Sequence, residues 1–281
     1  MKPRNCADLV CRAPTTAGYP EGVSVDNLSP SMQNYLKVIW GLQEWSDAPV
    51  SNSAIAESAG VRLSTVSDAL RKLSDLELIG HARYGSVTLT DAGREHAVSM
   101  IRRHRLLETY LVQALGYEWD EVHAEADRLE HAVSDELIHR VDRALGYPTR
   151  DPHGDPIPSA DGRVHRPDAV LLAKVAAPAT ARIERISDSD TAMLQYFASR
   201  GLVVDAELEV LPGEPYSEAV LVRVAGAAES VSLGPAAAAS VWVAVRAADH
   251  AEVADGADTT DGPDGAGATD GPDGADATDG S

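Results

Sequence analysis

The sequence predicts a mainly helical chain with a small β domain, flanked by a flexible leader and a disordered acidic tail. Three observations carry this. Residues 28–95 run helix, helix, glycine turn, helix and hairpin, the order of a winged helix-turn-helix. Residues 96–150 continue in amphipathic helices, and from about Ala177 short apolar runs alternate as strands do. The last 35 residues, Ala247–Ser281, repeat Asp, Gly, Ala, Thr and Pro (DGPDGAGATDGPDGADATDG), with ten acidic residues and no Lys or Arg. Such a segment buries too little apolar surface to offset its ordering entropy.

Composition bounds the function. The 281 residues hold 24 Lys+Arg against 44 Asp+Glu, a formal charge of −20. Half of it sits in the tail, leaving 24 − 34 = −10 for the body. Residues 28–105 carry nine basic and eight acidic residues. The first domain is therefore nearly neutral, and whole-chain acidity does not exclude a nucleic-acid partner for it. A hydrophobic content of 44 % excludes a disordered chain. No apolar run approaches the ~20 residues of a membrane helix, and the N-terminus lacks a signal-peptide core. Both cysteines, Cys6 and Cys11, lie in the leader (residues 1–27), which excludes a disulfide framework. The expectation is a soluble cytoplasmic protein with no membrane partner.

The elements follow in order. Ser29-Pro30 opens helix one, Ser as N-cap and Pro in the first turn. SNSAIAESA (51–59) is the second helix, Gly60-Val61 the turn, and STVSDALRKLSDL (64–76) the third. HARYGSVTLT (81–90) is the hairpin, turning at Tyr84-Gly85. In such a motif the third helix enters the major groove, its first residues meeting base edges. Those are Arg62, Ser64, Thr65, Ser67 and Asp68, while Arg71, Lys72 and the wing's Arg83 suit phosphates. This pattern says DNA without saying which DNA.

A long helix from Asp91 to about Leu115 carries His104 and Glu108 at i and i+4. Another, from about Asp120 to Leu145, carries His123, Asp127, Glu130 and His131 on one face. Imidazole and carboxylate together suit Mn, Fe, Zn, Co or Ni, whereas Ca prefers oxygen alone. The pattern points to a metal site, with a polar helix face as the alternative. There is no HExxH, nucleophile elbow or phosphate loop, so a sensor fits better than an enzyme.

With these motifs in view, the chain resembles the diphtheria toxin repressor family of metal-dependent transcription regulators, most closely its manganese-responsive (manganese transport regulator) branch. The resemblance spans about Leu28–Val245 and rests on YLKVIW, STVSDALRKL, YGSVTLTDAG, RRHRLLETYL, DEVHAEADRLEHAVSD and RDPHGDPIP. It implies a homodimer on operator double-stranded DNA, a winged helix (28–95), a helical metal-binding and dimerisation domain (96–150), a linker (151–176) and an SH3-like, FeoA-like barrel (177–246). It implies repression of metal-uptake and homeostasis genes when Mn(II), or next Fe(II), is abundant, with no organic ligand. The primary metal site falls on Asn34, Asp127, Glu130 and His131. The ancillary site falls on His104, Glu108 and His123, with Asp190 of ISDSDTAMLQYF as the ligand from the third domain. Asn34 stands where manganese-type members have Asp, and Asp127 where they have Glu. Lys37 stands where some have Glu, which implies two separate sites rather than one compact cluster.

The competing readings are an iron- or zinc-responsive member of the same family, a metal-dependent hydrolase, and a DNA-binding protein controlled by an organic ligand. The hydrolase lacks a nucleophile, and chelator insensitivity would mark the last. In the linker, His153 of DPHGDPIP reads as a loop hydrogen-bonding residue, with a metal ligand as the alternative. A metal held by helix one and the second metal-bearing helix would fix the DNA-binding domain in a competent orientation.

Overall fold

The computed structural model describes residues 28–81 and 86–246. The leader, the tail, Arg83 and the turn at Tyr84-Gly85 lie outside the described residues. Helices α1 (Pro30–Glu44), α2 (Asn52–Ser58) and α3 (Leu63–Asp75) lead into strands β1 (Ile79–His81) and β2 (Val87–Leu89). The two strands pair antiparallel, Ile79 opposite Leu89. Ser51 caps α2 by accepting the Ala54 N–H, as its place before an apolar helix predicts. One core holds this unit together, built from Leu36, Ile39, Trp40, Ile55, Val66 and Leu73. The start of the next helix joins it through Ala97 and Ile101.

That helix, α4, runs Asp91–Leu115, from Thr90 as N-cap to Gly116 in the left-handed conformation at its end. Its second half builds another core with Leu106, Leu107, Leu111, Val122 and Ala126. The single helix expected over 120–145 is instead two, α5 (Val122–Leu129) and α6 (Asp135–Ala144). Ser134 explains the break. Its side chain accepts the Leu137 N–H, and Asp135 and Glu136 fill the first turn of α6, where negative charge is favoured. Glu130 and His131 thus lie in the connecting turn rather than on a continuous helix face.

The third unit is a six-stranded antiparallel sheet in the order β3-β8-β4-β5-β6-β7. The strands are β3 (Val170–Leu171), β4 (Ala179–Ile186), β5 (Glu207–Leu211), β6 (Val220–Val224), β7 (Val231–Leu233) and β8 (Val241–Arg246). Helix α7 (Thr191–Ser199) is the predicted insertion after β4, and α8 (Pro235–Ala238) precedes β8. Phe197, Leu194, Ile183, Ile186, Val222 and Val243 form its core. The sheet begins at 170, inside the segment expected to be linker, because β3 pairs with β8.

The DPHGDPIP loop (151–158) lies against β4, where the Ile186 N–H donates to His153 O at 2.9 Å. Gly154 has φ +90°, and a Cβ there would sit 2.0 Å from Glu184 O. Gly154→Ala combines left-handed strain with a backbone clash and is expected to cost about 2 kcal/mol or more, read as a lowered urea midpoint.

Candidate metal centre

His104 and Glu108 project from α4 into its contact with α5, and both are buried. His104 Nε2 lies 2.9 Å from Glu108 Oε1 and 3.2 Å from His123 Nδ1 on α5. His123 Nδ1 lies 3.1 Å from Glu108 Oε1 and 2.9 Å from Asp188 Oδ2, on the segment between β4 and α7. These four residues, from three elements, each bring one ligand atom within 4.8 Å of the others. The third unit and the 151–158 loop are each docked here by a bond of their own. Gln195 donates to Asp120 Oδ2 at 2.8 Å, and His153 Nε2–H donates to Trp119 O at 2.7 Å. His153 thus makes the loop hydrogen bond its sequence context predicts, and it also lies with Glu108 and Asp151 in a group with one ligand atom of each within 4.8 Å of the others.

The structure brings Asp188 to this cluster, and not Asp190. Asp190 is the N-cap of α7, its carboxylate accepting the Met193 N–H at 3.0 Å. The group of ligand atoms around His123 includes Asp188 and not Asp190. The signal was present in the sequence: an Asp directly before a helix start is a capping residue. That leaves Asp188 as the acid free to face His123.

Asp127 and Glu130 also converge with His104, one ligand atom of each within 4.8 Å of the others, but Lys37 lies among them, and Asn34 and His131 bond to one another instead. Lys37 Nζ donates to Asp127 Oδ1 at 2.6 Å and to Glu130 Oε1 at 2.7 Å. His131 Nε2 is 2.8 Å from Asn34 Oδ1, and its Nδ1 is 2.6 Å from Gln33 Oε1. Glu130 Oε2 accepts from His104 Nδ1 at 2.6 Å. The turn carrying Glu130 and His131 is held from α4 by Arg103, which donates to Glu130 O at 3.3 Å and also to Val133 O and Asp135.

The electrostatics are those of a closed acid–base cluster. Burial opposes a charge on His123, but hydrogen bonds to Asp188 and Glu108 push its pKa up to about 11. Burial likewise opposes the charged His104, and Glu108 raises it. Glu108 and Asp188 resist burial's upward push and are held well below the usual carboxylate range, Glu108 by His104 and Asp188 by His123. A proton on His123 thus does in this state what a cation would do: it offsets two carboxylates from different elements.

Of the expected DNA-contacting residues, Arg62, Ser64, Thr65, Ser67, Asp68, Arg71 and Lys72 are all exposed on α3 and its N-cap. Val66, Leu70 and Leu73 on the opposite face are buried. Arg71 is paired with Asp68 at 3.2 Å, and Ser67 Oγ donates to Leu63 O.

An exposed α3 on a winged helix, joined to a helical unit with an imidazole–carboxylate cluster, defines a metal-dependent, DNA-binding transcription regulator. Comparison with known proteins agrees. The N-terminal DNA binding domain of the iron dependent repressors matches residues 27–87, their metal binding and dimerisation domain residues 90–159, and the FeoA domain residues 170–245. The chain belongs to the iron-dependent, diphtheria toxin repressor family, a family of repressors rather than enzymes. It is 52 % identical to a solved manganese-dependent transcriptional repressor in complex with manganese, covering 75 % of this chain and 98 % of that one, with a TM-score of 0.72. A second solved manganese-dependent transcriptional repressor is 45 % identical over 76 % of this chain and 100 % of that one, with a TM-score of 0.64. The iron-dependent repressor IdeR of Mycobacterium tuberculosis is 36 % identical over 134 residues, 48 % of this chain and 58 % of that protein. The chain therefore aligns with less than two thirds of that relative's length. The FeoA match begins at the same residue as β3, ahead of the expected boundary at 177. Among the described residues no helix is long and apolar enough to cross a membrane.

Proposed function

We propose that the chain is a manganese-responsive repressor of metal-uptake and homeostasis genes, binding operator DNA in the cytoplasm as a metal-loaded homodimer. The observation that carries this is the convergence of His104, Glu108, His123 and Asp188 on one point. Two imidazoles and two carboxylates suit manganese, and the absence of thiolate from the set disfavours softer ions. Similarity to manganese-dependent repressors supports the assignment. Similarity to IdeR keeps iron(II) as the second reading.

A divalent ion held by these four residues would supply the positive charge that offsets Glu108 and Asp188 and a link between the third unit and the helices. The chain's own residues do the rest. Glu130 holds the Nδ1–H of His104, which leaves Nε2 facing the cluster. The α3 face with Arg62, Ser64, Thr65, Ser67 and Asp68 reads base edges, with Arg71, Lys72 and Arg83 on phosphates. In a homodimer two such helices meet half-sites roughly 34 Å apart.

His123 must give up its proton to take a metal. Near neutral pH, far below about 11, loading therefore releases at least this proton. Manganese affinity should rise with pH by about tenfold per unit for each proton released. Calorimetry in two buffers of different ionisation enthalpy reads that release directly.

The functional test is operator binding by chelator-stripped protein, with Mn, Fe(II), Zn and Co restored at matched free concentrations. Binding that appears only with metal, and with manganese at the lowest physiological free level, supports the proposal. Metal-independent binding overturns it.

A further inference from the structure

We infer that Lys37 is a built-in cation that stands in place of a second metal ion, so that the chain takes one divalent ion per protomer. The inference goes beyond the centre proposed above and rests on it for the site of that one ion. Lys37 lies one turn beyond Asn34 on α1, and its stem is largely buried, the side chain keeping 14 % of its exposure. The ammonium contacts Asp127 and Glu130 at 2.6 and 2.7 Å and lies 3.4 Å from His104 Nδ1. A metal ligated by the same two carboxylate oxygens would stand about 2 Å from each, in the volume the ammonium fills. Two cations cannot share it. The remaining donors of that set are turned to one another, with Asn34 Oδ1 on His131 Nε2. The donor set therefore does not fit a metal while Lys37 is present.

The lysine also has a positive task. Glu130 spends Oε1 on Lys37 and Oε2 on His104 Nδ1. Lys37 compensates the charge of a fully buried carboxylate, and that carboxylate fixes the proton of His104 on Nδ1. Lys37 is thus a positioning residue for the neighbouring centre. It also makes the link between α1 and the α5 end that a metal was expected to make.

The experiment is manganese stoichiometry of the full chain by equilibrium dialysis and elemental analysis, compared with Lys37→Met and Lys37→Arg. The probe is Mn(II) alone, and circular dichroism confirms folding. One ion per wild-type chain, two per Lys37→Met chain and one per Lys37→Arg chain supports the inference. Two ions in the wild type overturn it, as does one ion in both wild type and Lys37→Met. No ion in the wild type but one in Lys37→Met sinks the centre proposed above and keeps the role of Lys37. No ion in either sinks both. Should Lys37→Met fail to fold, Asp127→Asn decides. Unchanged stoichiometry is expected, and a loss of one ion per chain makes Asp127 a ligand and overturns the inference. Anomalous scattering from manganese-loaded crystals gives an independent reading, with one peak at His123 and none between Asp127 and Glu130.

Discussion

Replacing Arg105 with alanine is expected to cost about 3–5 kcal/mol, the range for removing one partner of a buried charge network. Arg105 is buried on α4 and reaches two other parts of the chain, the end of α1 and the 151–158 loop. It donates to both oxygens of Glu44 at the end of α1, at 2.9 and 2.5 Å, to Pro156 O at 2.7 Å and to Asp155 at 3.3 Å. Burial would lower its pKa, but Asp155, Glu44 and Asp151 raise it, so the guanidinium stays charged. Its loss strands Glu44, itself buried, and leaves Asp155 to Arg185, which bonds it at 2.7 Å, and to the Trp45 indole N–H at 2.8 Å. Arg185 in turn lies over the Trp45 and Trp242 rings, 4.8 and 4.2 Å from their centroids. One guanidinium therefore sits where α1, α4, the 151–158 loop and the β domain meet. The control is Arg140→Ala, which breaks a solvent-screened, exposed pair with Glu136 and should leave stability almost unchanged. Urea unfolding of both variants reads the difference. A cost near that of Arg140→Ala would remove Arg105 from this role.

That hub shows where sequence reasoning stopped. Local elements were legible because their causes are local. The apolar period of α1 and α4, Ser51 as a cap and the glycine turn before α3 each act within a few residues. The pairing of His104 with Glu108 was legible too, since a helix fixes the geometry of i and i+4. The α5–α6 break was readable from Ser134, Asp135 and Glu136, but the histidine and carboxylate spacing ran through it and hid it. Arg105, Glu44 and Asp155 carry no such period. Their partnership spans 50 and 61 positions and exists only once three units have packed. Lys37 was visible as a departure from a charge pattern. That its ammonium lies between Asp127 and Glu130 required the distance between α1 and α5.

Asp188→Ala is expected to weaken manganese binding by at least about 100-fold, above the roughly 10–100-fold typical of groups that only orient a ligand. Asp190→Ala, two residues away, should leave manganese affinity unchanged. The second substitution removes a helix cap, worth about 1 kcal/mol of stability. The pair separates two explanations that a single variant would confuse. If the acidic segment acted only through its general negative charge, both alanines would weaken binding alike. If it acted by holding α7 in place, Asp190→Ala would be the worse of the two. The geometry favours neither: Asp188 is 2.9 Å from His123, while Asp190 points at the Met193 N–H. The same variant tests the proton linkage. Without Asp188, the His123 pKa falls from about 11, because the carboxylate 2.9 Å from its Nδ1 is gone. The pH above which loading no longer releases this proton then falls with it. Isothermal titration of both variants with manganese at two pH values measures affinity and proton release together. Equal losses in the two variants would assign the contact to bulk charge rather than to a ligand from the β domain.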